Sequence, residues 1–186
     1  MPFLPTAIQG LLIFEPKVFE DNRGYFFESY NENIFKEQGI DTRWVQDNQS
    51  CSPYGVIRGL HYQLPPFAQT KLIRVIRGKI LDVVVDIRKG SPSYGQVHSR
   101  VLSAKNKRQL FIPKGFAHGF SVLSEKAEVF YKCDGFYHKE SEAGVNYNDP
   151  DLAIDWRIPE GQSIISEKDL LLPRLVDCQN SFVFDR

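Results

Sequence analysis

The chain has 186 residues, with 23 Lys plus Arg against 23 Asp plus Glu and a formal net charge of +0 at pH 7. That length predicts one domain over residues 1–186, and balanced charge excludes a global field recruiting nucleic acid or a membrane surface. Cys51, Cys133 and Cys178 are odd in number and form no CxxC pair, which excludes a disulfide scaffold or thiolate zinc site and predicts a cytoplasmic protein.

In chain order, the opening Met-Pro-Phe-Leu-Pro lacks the basic and apolar regions of a signal peptide. Strands are predicted over 11–19 and 24–29, parted by the turn residues Asp21, Asn22, Arg23 and Gly24. A short helix over 31–38 has Asn31 as its N-cap and Gly39 as its stop. The polar run Gln46, Asp47, Asn48, Gln49 reads as a loop or as a reader of a base or sugar edge. Strands follow over 58–63, 71–77, 80–87, 96–102, 109–112, 118–122 and 128–134, and a second short helix over 166–171. Asp82 and Asp86 interrupt the apolar run 81–87, so it does not suit a bilayer-spanning helix. Residues past Leu175 are expected to be mobile or specific to this protein. Many short β-branched and aromatic strands with turn punctuation predict an all-β sandwich or barrel with a few short helices.

Strand alternation locates charge. Lys71, Ile73, Val75 and Arg77 share one face; Leu81, Val83, Val85 and Ile87 form an apolar face, with Asp82, Val84 and Asp86 opposite. Arg58, His61 and Lys71 are expected in a buried interior. Desolvating charge there costs several kcal/mol unless something pairs with it, so a basic pocket for an anion is predicted. A histidine among cations is favoured in the neutral, proton-accepting form of a general base. A carboxylate must then fix its tautomer, with Asp169, Asp82 and Asp86 as candidates. The turn Pro113-Lys-Gly115 can present His118 to a barrel mouth. Tyr131 reads as a core tyrosine or a proton donor, and Glu28 is notable only for its aromatic neighbours. A three-histidine metal site would need His98 or His138, and neither has ligand spacing, so no metal is expected.

Taken in order, these motifs closely resemble the dTDP-4-dehydrorhamnose 3,5-epimerase family, a cupin-type branch. They run from Phe19-x-Asp21-x-Arg23-Gly-x-Phe26-x-Glu28 through Gln46-Asp-Asn48, Arg58-Gly-Leu-His61-Tyr-Gln63 and Lys71-Leu-x-Arg74. Phe111-Ile-Pro-x-Gly115-Phe-x-His118, Tyr131-Lys132, Glu142-x-Gly144 and Ser166-x-Lys168-Asp169 complete them. The resemblance implies a jelly-roll homodimer that acts on a dTDP-linked 4-keto-6-deoxyhexose without metal or cofactor. It implies His61 as base held by Asp169, Lys71 as enolate stabiliser and Tyr131 as acid. Arg23, Glu28, Gln46, Asn48, Arg58, His118, Glu142 and Lys168 are implied as binding residues. Phe19 and Phe26 are expected to pack on the base and Tyr137 to line the sugar site. The N-terminal segment is expected to reach the partner's site. Tyr147 and Thr70 depart from the usual family residues, and the tail 176–186 has no assigned role. Epimerisation at one carbon only, or silent nucleotide-sugar binding, are the alternatives.

Overall fold

The computed structural model describes residues 2–184. Two packed sheets dominate it. One runs in the order β1 (Phe3–Pro5), β2 (Leu12–Phe14), β10 (Gln109–Ile112), β7 (Lys71–Arg77), β12 (Lys126–Cys133), β5 (Gln46–Pro53). The other runs β13 (Glu142–Gly144), β6 (Ile57–Gln63), β11 (Phe116–Val122), β8 (Lys79–Asp86), β9 (Val97–Ser103). A separate hairpin pairs β3 (Phe19–Asp21) with β4 (Gly24–Phe26). Helix α1 (Glu32–Glu37) starts where Asn31 accepts the Asn33 N–H, and Gly39 follows it at φ +83°. Helix α2 (Glu167–Leu170) starts where Ser166 accepts the Asp169 N–H. The first helix has the N-cap expected from sequence.

Alternating side chains sort into three apolar layers. Ile73, Val75, Ile80, Val84, Leu110, Phe120 and Val129 meet between the sheets. On the far face of the five-stranded sheet, Leu81, Val83, Val85 and Ile87 are fully buried beneath Val145, Leu152 and Trp156. On the far face of the six-stranded sheet, Phe3, Phe14, Leu72 and Phe111 pack against Phe35 of α1. Burying each such side chain contributes about 1.5–3 kcal/mol. The even residues of β8 therefore face the lumen, so Asp82 and Asp86 lie inside.

Two expectations are corrected. The run Gln46–Gln49 is not a loop: it begins β5, which pairs along its whole length with β12. An edge strand that is polar on both faces carries no apolar alternation to betray it. Arg58 is exposed rather than buried, its Nε donating to Ser52 Oγ at 3.1 Å, so its charge keeps contact with water. Within the described tail, Phe182 and Phe184 are tied to the barrel. Lys89 N–H donates to Phe182 O and Phe184 N–H to Lys89 O, both at 2.9 Å.

Candidate active site

Strand β12 lies between β5 and β7, and its register sets one wall of the lumen. Cys133 is flanked by Gln46 and Lys71, and Tyr131 by Asn48 and Ile73. The facing wall is β6, where His61 stands between Gly144 of β13 and His118 of β11. Between the walls is a cavity of about 310 Å³ lined by Gln46, Asn48, His61, Lys71, Tyr131 and Glu142 among others. An adjoining space of about 150 Å³ reaches Arg58 and His118. Together they suit a small polar ligand.

A β-bulge makes this wall possible. His118 pairs with His61 and Phe120 with Arg58, so β6 carries one residue more than β11 over this stretch. Arg58 and His61, three residues apart, thereby line the same space. Gly59 sits in the bulge at φ +117°, and a Cβ there would lie 2.6 Å from Gly119 Cα. Strict period-two reading puts Arg58 and His61 on opposite faces, and only the bulge brings them together.

His61 Nε2 lies 2.8 Å from Asp169 Oδ1. Asp169 Oδ2 accepts the Gly59 N–H at 3.1 Å, and Ser166 Oγ holds the Asp169 N–H at 3.1 Å. Burial pushes the Asp169 carboxyl up, but the bond to His61, its charge, and the bonds from Gly59 and Ser166 outweigh it. The carboxyl is held below the usual carboxylate range. Of the three candidate carboxylates, Asp169 thus pairs with His61, Asp82 with His118 at 3.0 Å, and Asp86 with Arg88 at 2.7 Å.

Lys71 has its ammonium drawn down by burial, with Cys133, Asp82 and Glu142 acting on it only through space. Burial likewise pushes the Tyr131 hydroxyl up, and Cys133 adds to the effect. Glu142 accepts Tyr137 Oη–H at 2.7 Å and pairs with the Lys168 ammonium. Burial raises its carboxyl, but the bonds from Lys168 and Tyr137 hold it below the usual range.

Phe19, Arg23, Phe26 and Glu28 are not brought to this cavity within one chain. Phe19 and Phe26 stand 53% and 67% exposed on the hairpin, and Arg23 pairs with Asp21. Glu28 accepts from Asn31 Nδ2 at 3.1 Å. Sequence reading missed Gln63, Gln69 and Cys133. Gln63 and Cys133 lie two residues from His61 and Tyr131, so alternation could have found both. Gln69 lies in an irregular segment with no such signal. Among the described residues no three His, Cys, Asp or Glu side chains cluster so as to hold a metal ion.

A jelly roll with a histidine–carboxylate pair, a half-buried lysine and a tyrosine around one polar cavity defines a cupin-type protein that carries groups able to move protons. Comparison with known proteins narrows the class. Residues 5–177 match the family model described as dTDP-4-dehydrorhamnose 3,5-epimerase. The chain is 51% identical over 178 residues to the dTDP-4-dehydrorhamnose 3,5-epimerase of Shigella flexneri, covering 95% of this chain and 97% of that one. The crystal structure of the enzyme of that name from Elizabethkingia anophelis superposes with a TM-score of 0.91 at 52% identity, covering 94% and 96% of the two chains. The dTDP-6-deoxy-D-glucose-3,5-epimerase of Legionella pneumophila, solved in complex with dTDP-4-keto-L-rhamnose, gives 0.90 at 50% identity, covering 94% and 93%. The chain belongs to the dTDP-4-dehydrorhamnose 3,5-epimerase family. It is an isomerase of the epimerase type.

Proposed function

We propose that the chain epimerises C3 and C5 of dTDP-4-keto-6-deoxy-D-glucose, giving dTDP-4-keto-L-rhamnose through enolate intermediates. The C4 ketone acidifies the hydrogens on both neighbouring carbons, so the reaction needs a base, an acid and a charge stabiliser but no redox step. An ionised Asp169 can only accept, so His61 Nε2 carries the hydrogen and Nδ1 is left to take the substrate proton. Lys71 stabilises the enolate oxygen, an effect worth about 3–4 kcal/mol for a single donor. Tyr131, kept protonated by its raised pKa, returns a proton to the other face of the carbon. One proton leaves to His61 and one arrives from Tyr131, and proton exchange with solvent restores neutral His61 and the Tyr131 hydroxyl before the second carbon inverts.

The observation that carries this reading is the placement of His61 and Tyr131 on opposite sheets across one cavity. Inversion requires removal and delivery on opposite faces, which a single group cannot provide. Arg58 suits the diphosphate, because a guanidinium matches phosphate geometry. Gln46, Asn48, His118, Tyr137, Glu142 and Lys168 complete the nucleotide-sugar contacts. The exposed hairpin acts in a homodimer, bringing Phe19, Arg23, Phe26 and Glu28 to the partner's cavity. Among the described residues no helix is long and apolar enough to cross a membrane, and all three cysteines are free, which suits the cytoplasm.

Two variants test the division of labour. His61→Ala is expected to abolish hydrogen exchange at both carbons, by about 10²-fold or more, while dTDP binding persists. Tyr131→Phe is expected to keep exchange and lose inversion. Full epimerisation by either variant, followed by NMR of the sugar, refutes the assignment.

A further inference from the structure

We infer that residues 179–184 form a strap that positions the catalytic cavity, with Phe182 as the side chain that walls off the space behind Lys71 and His118. This rests on the role proposed for Lys71. The strap is fastened at several points to the end of β8 and the loop beyond it. Lys89 exchanges backbone bonds with Phe182 and Phe184, and Asn180 Nδ2 donates to Ile87 O. Tyr62, the neighbour of His61 on β6, donates its hydroxyl to Gln179 O. Arg88 adds a further anchor. Its guanidinium, bound to Asp86, lies between the rings of Phe116 at 4.3 Å and Phe184 at 4.9 Å.

Phe182 is the member that reaches the site. Its ring meets Tyr62 edge-on, with centroids 6.1 Å apart at 70°. With Gln63, Lys71, Gly115 and His118 it bounds a space of only about 10 Å³. That is about the room of one water. The wall closes the side of the lysine away from the substrate cavity, so that bound substrate alone has to exclude water from its other side, and a charge acts more strongly on a developing enolate where water is excluded. Removing the ring opens the space, admits water and frees the Lys71 stem. No motif of the sequence marks this role, because the contacts come from a tail without periodicity.

The test compares the full-length chain with Phe182→Ala and Phe182→Leu. The readouts are kcat and KM for epimerisation, the urea midpoint, and the rate of reductive methylation of Lys71 relative to the exposed Lys79. Phe182→Ala is expected to lower kcat about tenfold or more while KM moves by less than about twofold. Lys71 methylation should quicken in that variant, and Phe182→Leu should recover most of both. Wild-type kcat and unchanged Lys71 labelling in Phe182→Ala overturn the proposal. Should the alanine variant not fold, an intermediate kcat and faster labelling in Phe182→Leu support it, and wild-type values there overturn it. Should the wild-type chain itself show no epimerisation, the proposed function fails, and the labelling ratio alone decides the strap.

Discussion

Lys71 carries its charge where the fold gains least from it. Burial holds its folded pKa below the unfolded value, so between the two values the unfolded chain binds more protons and stability rises with pH. The penalty is present in full below the folded pKa and is relieved above the unfolded one, about 10.4. Lys71→Met is therefore expected to raise the unfolding free energy by about 1 kcal/mol at neutral pH, read as a higher urea midpoint, while activity falls about 10²–10³-fold. A lower midpoint in that variant contradicts the account. Asp169 has the same slope, stability rising with pH, but here the charged form is the one the fold favours. Its folded pKa is depressed, so its contribution is present above the unfolded value of about 3.9 and is lost as pH falls through the folded one. At this scale the sequence was legible for His61, Lys71 and Tyr131, because each is an unexpected polar group on a strand. The choice of Asp169 over Asp82 and Asp86 was not legible from spacing. Asp169 is 108 residues from His61, and only the docking of α2 beside β6 selects it.

The bulge in β6 is the element on which the site depends. Its extra residue turns Arg58 and His61 to one side, and Gly59 allows the close approach to β11. Gly59→Ala would set a Cβ 2.7 Å from His118 O at a φ unfavourable to any side chain. It is expected to destabilise the chain by about 2–4 kcal/mol and to cost activity beyond that loss, read by urea unfolding and kcat together. Near-wild-type stability with full activity would show that the bulge is dispensable. Strands with a buried apolar face, such as β7 and β8, were readable because apolar residues alternate with charged ones there. β1 and β13 are three residues each, too short to show a period, and β5 is polar on both faces. The bulge was invisible because a glycine inside a strand signals several geometries.

At the scale of the molecule, one chain gathers His61, Lys71 and Tyr131 around its cavity but leaves its aromatic hairpin turned to solvent. Phe19 and Phe26, cross-strand partners, are 53% and 67% exposed, a contiguous apolar pair of the kind that marks an interaction surface. The proposed homodimer accounts for it, and complementation tests it. Mixed dimers of Arg23→Ala and His61→Ala chains are expected to regain about a quarter to a half of wild-type activity, since one cavity per mixed dimer receives both intact groups. No recovery above either variant alone would place Arg23 in its own chain's site or outside the reaction.

The most direct test of the central claim is proton NMR of dTDP-4-keto-6-deoxyglucose incubated with the purified, chelator-treated protein in deuterated water. The account predicts loss of both the C3 and C5 proton signals, with subsequent reduction yielding dTDP-L-rhamnose. Loss of one signal alone would mark a single-carbon epimerase, and retention of both would contradict proton abstraction by His61 altogether.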